Sequence, residues 1–546
     1  PDYFANLIVS ERAMLGDEVN LPVDELARVL RPSGGQLLLG SIEGWPNASV
    51  QKITNGLKAN ARAKTDLKLS KQWLHFTRGK LTGAGSWTGL YGNTANTSST
   101  PDTLVKGPLG VLWYGEPGSE PMVGRHSRAA SPLAVNGRLF MQGAEVVMGY
   151  DAYNGTFLWK RKIPGAVRVR VDVDGSNITA TDNAIFVATH NRVLQLDAQT
   201  GKTIREFPVP RKDGGKALRW GYIAVHGNIL IGTGSVPLAN EYGHLWNSLV
   251  KDGKWVLEKD APKSALSTLK RVKGIHPEPD KRAYAYFRRA DLHWRPMIAN
   301  APNWLPDRDP SPVEKNRIMT SEKVFAYDIT AGKMLWEHEG KAIPNISLVI
   351  GDDRIFFLKD DLDEKERAQA RATTVANISS NTFVPEREQK LAEKDRDYRR
   401  VVCLDVKTGR ELWSRPYDLT GAGGTKLGLA YQDGRILAFG HYSNHDEGPF
   451  NKRNHPGLGW RRITVLDASG GSMLWSKPLN YRRRPTIVGD TIYIEPRRCD
   501  LATGEIQKRK HPITGETVDW EFLRPGHSCG IVTATPDNLF FRSFSG

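Results

Sequence analysis

Two rhythms of apolar and polar residues divide this chain. From about residue 85 onward, short alternating apolar runs recur, each broken by Gly, Asn or Asp: AVNGRLFM (134–141), TATDNAIFVA (179–188), AVHGNILIG (224–232), VIGDDRIFFL (349–358), AYQDGRILAFG (430–440), IVGDTIYI (487–494) and TATPDNLFFR (533–542). A period of two interrupted by turn residues predicts a β-hairpin in each case. Before residue 85 the spacing differs. NLIVSE (6–11) predicts a short strand, VDELARVLR (23–31) a helix and QLLLG (36–40) a strand. VQKITNGLKANAR (50–62) predicts a second helix and KQWLHFTRG (71–79) a last strand. The expectation is a mainly β chain, with a partial α/β unit over 1–84 ahead of a β unit over 85–546.

A second motif follows six of the hairpins. YDAYNGTFLW (150–159), LDAQTGKTIR (196–205), YDITAGKMLW (327–336), LDVKTGRELW (404–413), LDASGGSMLW (466–475) and CDLATGEIQK (499–508) each place a Gly four residues after an Asp. In four of the six a Trp stands four residues further on. The Asp side chain accepts hydrogen bonds from turn amides, the Gly supplies positive φ, and the Trp is large enough to wedge between neighbouring units. Hairpin plus corner makes a four-stranded blade, and repetition makes a multi-bladed β-propeller. Seven blades are visible, the last cut short at Gly546. LGVLWYGEP (109–117) has the character of a Trp-bearing fourth strand with no blade before it, so Trp113 is expected to close the ring.

The corner pattern resembles the pyrroloquinoline-quinone-like (PQQ-like) repeat of quinoprotein alcohol dehydrogenases and of non-catalytic outer-membrane assembly lipoproteins, over roughly residues 107–546. That resemblance implies eight blades, one more than the seven visible, and work outside the cytoplasm, in the periplasm. ARVLRPSGGQLLL (27–39) is similar to a passage in the second half of class I methyltransferases, which implies a partial Rossmann-like domain. Methyl transfer needs a Gly-rich loop after the first strand and an acidic residue for the ribose, and neither is in this chain.

Charge narrows the partners. The net charge of +16 favours an acidic small molecule, an anionic polymer or an acidic protein partner. No dense Lys/Arg block is interleaved with aromatics, which argues against nucleic acid. No apolar run approaches the length of a membrane span. The chain opens at Pro1 without a charged-then-apolar leader, so an export signal is either removed or outside this segment. Two insertions, 237–317 and 360–398, interrupt the β pattern; the first is aromatic and basic, the second predicts solvated helices.

Two functions compete, with part of an S-adenosylmethionine-dependent methyltransferase fusion as a second alternative. A quinoprotein dehydrogenase, by the resemblance, would hold PQQ at the axis on a Trp, capped by adjacent cysteines, with calcium on carboxylate and amide oxygens. Cys403, Cys499 and Cys529 are not adjacent, and no calcium set is matched, so no cofactor is expected. A ligand- or partner-binding scaffold is the preferred reading. Residues leading into the inner strands (Arg125, His126, Arg219, Trp220, Lys426, Arg483, His527 and Cys529, with Arg484 beside them) are expected to converge on one axial mouth. Such a cationic ring suits carboxylates, sulfates or phosphates. The alternative is that these side chains splay outward onto acids such as Asp352, Asp433 or Asp490.

Overall fold

The computed structural model describes residues 2–15, 22–40, 47–60, 63–70, 72–116, 130–143, 145–166, 176–189, 191–210, 218–235, 249–261, 320–376, 396–422, 427–440, 461–479, 483–522 and 531–541, and the isolated positions 266, 269–270, 273, 278–279 and 481.

The first unit holds β1 (Leu7–Val9), α1 (Glu11–Met14), α2 (Val23–Val29), β2 (Gln36–Gly40), α3 (Asn47–Asn60), β3 (Ala63–Leu69) and β4 (Trp73–Leu81). The sheet order is β1-β2-β4-β3. Leu37, Leu39, Leu74 and Phe76 of the sheet pack on Leu26, Ile53 and Leu57 of the helices. The Rossmann-like expectation is not confirmed by this mixed sheet. Only β1 and β2 run parallel, while β4 is antiparallel to both its neighbours. β3, which the sequence pattern did not predict, is joined to β4 through Ser70–Gln72, and so short a link permits only an antiparallel pair.

Beyond residue 130 the described residues are mainly β. Five four-stranded antiparallel sheets follow one another, each with its strands in sequence order: 133–162, 178–208, 219–344, 349–418 and 427–478. A sixth sheet, 486–500, has three strands, and Thr533–Ala534 pairs with Leu539–Phe540 in a last two-stranded element. All seven expected hairpins form, as the first two strands of these sheets.

Because every sheet is an up-and-down meander, its connections sort to two ends. First-to-second and third-to-fourth turns share the corner end. Second-to-third and sheet-to-sheet links share the opposite, loop end. The three longest second-to-third links, 236–319, 360–397 and 441–461, therefore all leave from the loop end. In the second of these, helix α4 (Glu364–Ala376) forms where charge patterning predicted helix.

The corners behave as their composition dictates. In the fourth sheet, Asp405 Oδ1 accepts from the amides of Lys407 and Thr408 at 3.1 and 2.8 Å, and Gly409 closes the turn at φ +68°. Each Trp then crosses to the next sheet. The indole N–H of Trp159 donates to Ala198 O at 3.0 Å, Trp336 to Val406 O at 3.0 Å, Trp413 to Ala468 O at 3.1 Å and Trp475 to Leu501 O at 3.0 Å. Each ring lies flat against the corner Gly of that neighbour, at Gly201, Gly409, Gly471 and Gly504, where a side chain has no room. Trp113 does the same to the first sheet, donating to Ala152 O at 2.9 Å and covering Gly155. Where the second sheet has Arg205 in place of Trp, its guanidinium caps Thr330 O and Ala331 O at 3.1 and 3.2 Å and covers Gly332. One inter-sheet contact thus has two chemical solutions.

Candidate functional site at the axis

The inner strands enclose a stretch of the chain itself. Residues 87–100 run past them in ring order, joined by backbone hydrogen bonds. Trp87 exchanges two with Ala134, and the amides of Ala180, Ile350, Tyr431 and Ile487 donate to the carbonyls of Thr88, Thr94, Ala95 and Thr97 at 2.9–3.0 Å. Ala534 bonds Ser98 O and Thr100 N at 3.2 and 2.9 Å. Non-glycine residues Asn96 and Ser98 take φ +57° and +58°, which turns successive carbonyls outward toward the strands.

The third sheet is the exception among the described residues. Its inner strand, Arg219–His226, breaks register between Trp220 and Ile223, and the Tyr222 amide turns inward to Thr233 Oγ1 at 2.7 Å. Thr233, Ser235, Ser321 and Asn345 form a fully buried hydroxyl–amide network behind it. Between that strand and residues 88–96 lies a small recess, open to solvent, lined by Thr88, Tyr91, Asn93, Ser176, Thr179, Tyr222 and uncharged neighbours.

Arg484 locks the axial stretch from the loop end. It is 3% exposed, sits 4.0 Å over the Tyr91 ring, and donates to Ser98 Oγ, Asn96 O and Pro485 O. Burial pulls its pKa down to about 10. The cation is balanced by carbonyl dipoles, a hydroxyl and a π face.

The residues expected at a cationic mouth fare unevenly. Arg125, His126, Lys426, His527 and Cys529 lie outside the described residues. Arg219 heads its strand, half-buried. Trp220 is buried, its ring 4.9 Å edge-on from Phe325 and its N–H given to Tyr222 O, so it serves packing. Arg483 lies 3.3 Å from Glu495, both largely buried, so its charge is neutralised locally. Asp352 instead accepts from the Tyr431 hydroxyl. Tyr91, Asn96 and Ser98 carry no motif; only the density of Gly, Asn, Ser and Thr in TGLYGNTANTSST (88–100) marks the stretch.

Two further groups bear on chemistry. At the loop end of the fourth sheet, Arg399 lies 3.0 Å from Asp360 and 2.7 Å from Asp397, and Arg396 lies 2.9 Å from Asp418, all buried. The Arg399–Asp397 approach is close but not aligned as a hydrogen bond, and burial holds the Asp397 pKa above its ordinary value. Cys403 and Cys499 are buried free thiols pushed up to about 12 by burial, which makes them unreactive. Among the described residues no three His, Cys, Asp or Glu side chains gather to hold a metal, and no helix is long and apolar enough to cross a membrane.

A tricarboxylate quinone needs cations, and its calcium needs carboxylates. The recess lining supplies neither, so this recess does not fit that cofactor.

No curated protein matches the sequence. Solved structures similar to it include BamB from Moraxella catarrhalis (10% identity, 67% of this chain and 70% of that one, TM-score 0.33). A europium-containing methanol dehydrogenase (14%, 83% and 88%, 0.35) and a quinohemoprotein alcohol dehydrogenase from Pseudomonas putida HK5 (10%, 76% and 75%, 0.26) are also similar. Nothing in these comparisons supports the methyltransferase resemblance of residues 1–84. Residues 104–268 match the family model described as outer membrane protein assembly factor BamB, and that stretch is of the PQQ-like repeat type.

Proposed function

We propose that this chain is a ligand- or partner-binding scaffold propeller of the PQQ-like repeat type, working outside the cytoplasm. One observation carries the reading: residues 87–100 line the axis with the chain's own backbone, while the three long second-to-third connections rise from the loop end. A pinned ring with long loops on one face is a rigid frame for recognition. The first unit packs on the corner end, where Arg31 meets Asp151 at 2.7 Å and Tyr3 meets Tyr153, which leaves the loop end as the recognition face. The net charge of +16 makes an acidic ligand or partner the natural complement. The family description of residues 104–268 as an outer-membrane assembly factor accords with this role and setting.

The test is a heparin titration followed at rising salt, with dextran as the neutral control. Saturable binding that weakens steeply between about 50 and 300 mM salt supports an acidic partner. Equal retention of dextran, or no binding at low salt, overturns it.

A further inference from the structure

The corner motif has a further copy in which His replaces Asp. In KHPITGE (510–516), His511 stands where Asp405 stands in LDVKTGR (404–410), Thr514 where Thr408 stands and Gly515 where Gly409 stands. The backbone bonds are the same. The His511 amide donates to Glu516 O at 2.9 Å and the Gly515 amide to His511 O at 3.0 Å, with Gly515 at φ +71°. At Asp405 both matching bonds are 2.9 Å. The imidazole replaces the carboxylate: His511 Nδ1 accepts from the amides of Ile513 and Thr514 at 3.4 and 3.2 Å. Two differences leave this corner with fewer ties. Asp405 Oδ1 also takes the Thr408 hydroxyl at 2.7 Å, whereas Nδ1 has one lone pair, and the Thr514 hydroxyl turns instead to Glu516 Oε2 at 3.2 Å. In the six Asp corners the next amide is bonded to the neighbouring hairpin, as Val406 is to Asp353 O at 2.9 Å. Pro512 has no amide to give.

We propose that the 508–519 hairpin is a proton-sensitive switch, its corner closed while His511 is neutral and released when Nδ1 takes a proton. Acceptance at Nδ1 requires the tautomer with hydrogen on Nε2. Protonation turns that acceptor into a donor facing two other N–H groups, and the corner loses both bonds. Histidine is the side chain that changes charge between about pH 8 and 5, where carboxylates stay ionised. At the Asp405 corner the Thr408 hydroxyl and the turn amides hold the carboxyl below its ordinary value. The charged groups around His511 are Lys508, Arg509 and Lys510 on the incoming strand, Glu516 at the turn and Asp519 on the outgoing strand. Lys510 is held by Thr517 Oγ1 at 2.9 Å, and Asp519 lies 3.5 Å from Arg497 at the base. The corner is thus complete at the alkaline end of the range and lost as pH falls. Mild acid then frees this tip, where Ile513 is 88% exposed, and leaves the Asp corners closed.

The experiment takes the full chain, isotope-labelled at nitrogen in histidine, isoleucine and threonine, and reads magnetic resonance spectra between about pH 8 and 5. At the alkaline end the His511 ring is expected as the Nε2–H tautomer. Solvent exchange at the Ile513 and Thr514 amides, corrected for its intrinsic pH dependence, should lose protection about fivefold to tenfold across the range, the loss following protonation of the His511 ring. The Thr408 amide, at an Asp corner, should not change. His511→Asp should keep protection throughout, and His511→Ala should lack it at both ends. An Nδ1–H tautomer, protection that does not vary with pH, or protection in His511→Ala equal to that of the parent overturns the proposal. A fall of the same size at Thr408, or in His511→Asp, makes the effect general and overturns it too.

Discussion

Arg484 lies 4.0 Å above the ring of Tyr91, joining the lead-in of the sixth sheet to the middle of the axial stretch. Its guanidinium also holds Asn96 O and Ser98 Oγ, so one side chain fixes three points of the segment. Arg484→Ala would leave those acceptors buried and unpaired, costing about 3 kcal/mol or more. Arg484→Lys should recover only part, because an ammonium cannot serve a planar fork of acceptors and a π face together. Chemical denaturation of the variants, with exchange at the amides of Ile350, Tyr431 and Ile487, checks this. Unchanged protection would separate Arg484 from the axial stretch.

The inter-sheet contacts predict a graded series. Trp475→Phe keeps the packing but leaves Leu501 O without its indole donor, a loss of about 1–2 kcal/mol. Gly409→Ala forces a Cβ at φ +68° into the Trp336 ring and should cost about 1–3 kcal/mol. Arg205→Trp, which restores the commoner solution, should leave the melting temperature unchanged or raise it. A marked fall for Arg205→Trp would show that the second and third sheets meet differently from the rest.

Asp151 divides its carboxylate between two jobs. Oδ1 takes the amides of Tyr153 and Asn154 within the corner, and Oδ2 takes Arg31 of the first unit at 2.7 Å. Asp151→Asn retains an acceptor for the turn and removes the charge that docks Arg31. A double-mutant cycle of Arg31→Ala with Asp151→Asn should give a coupling of about 1.5–3 kcal/mol. Additive single effects would mean that the first unit is held by other contacts.

Much of this was legible in sequence, and the exceptions share a cause. The corners were readable because Asp, Gly and Trp each have a side-chain or φ requirement that repeats at fixed spacing, and Trp113 was recognised by that logic alone. The axial stretch was invisible because it is held by backbone amides and carbonyls, which every residue possesses. β3 (Ala63–Leu69) drew no prediction because its polar alternation carries little apolar signal. Trp220 misled because an aromatic at a strand lead-in has the same signature whether it faces the axis or, as here, Phe325.

The buried acids of the fourth sheet predict a pH effect of definite sign. Burial holds the Asp397 pKa above its unfolded value, so the folded chain keeps a proton that the unfolded chain gives up. The stability this group allows is full below the unfolded carboxylate pKa and declines as pH rises toward the folded one. Asp360, Asp418, Arg396 and Arg399 face the same cluster, Arg399 pulling the other way. Asp397→Asn should therefore gain on the parent chain as pH goes from about 4 to 7, the span from the unfolded value upward. A difference that stays flat across melting curves at these pH values would show Asp397 ionised and fully compensated by Arg399.

The account turns on the axis being a structural core rather than a cofactor pocket. Calorimetric titration of the purified chain with PQQ in the presence of calcium, followed by dye-linked alcohol oxidation on the same sample, tests that most directly. No stoichiometric quinone binding and no turnover are predicted, because the described axis offers the chain's own backbone and an uncharged recess. One quinone bound per chain with sustained alcohol oxidation would contradict the account and make the chain a dehydrogenase.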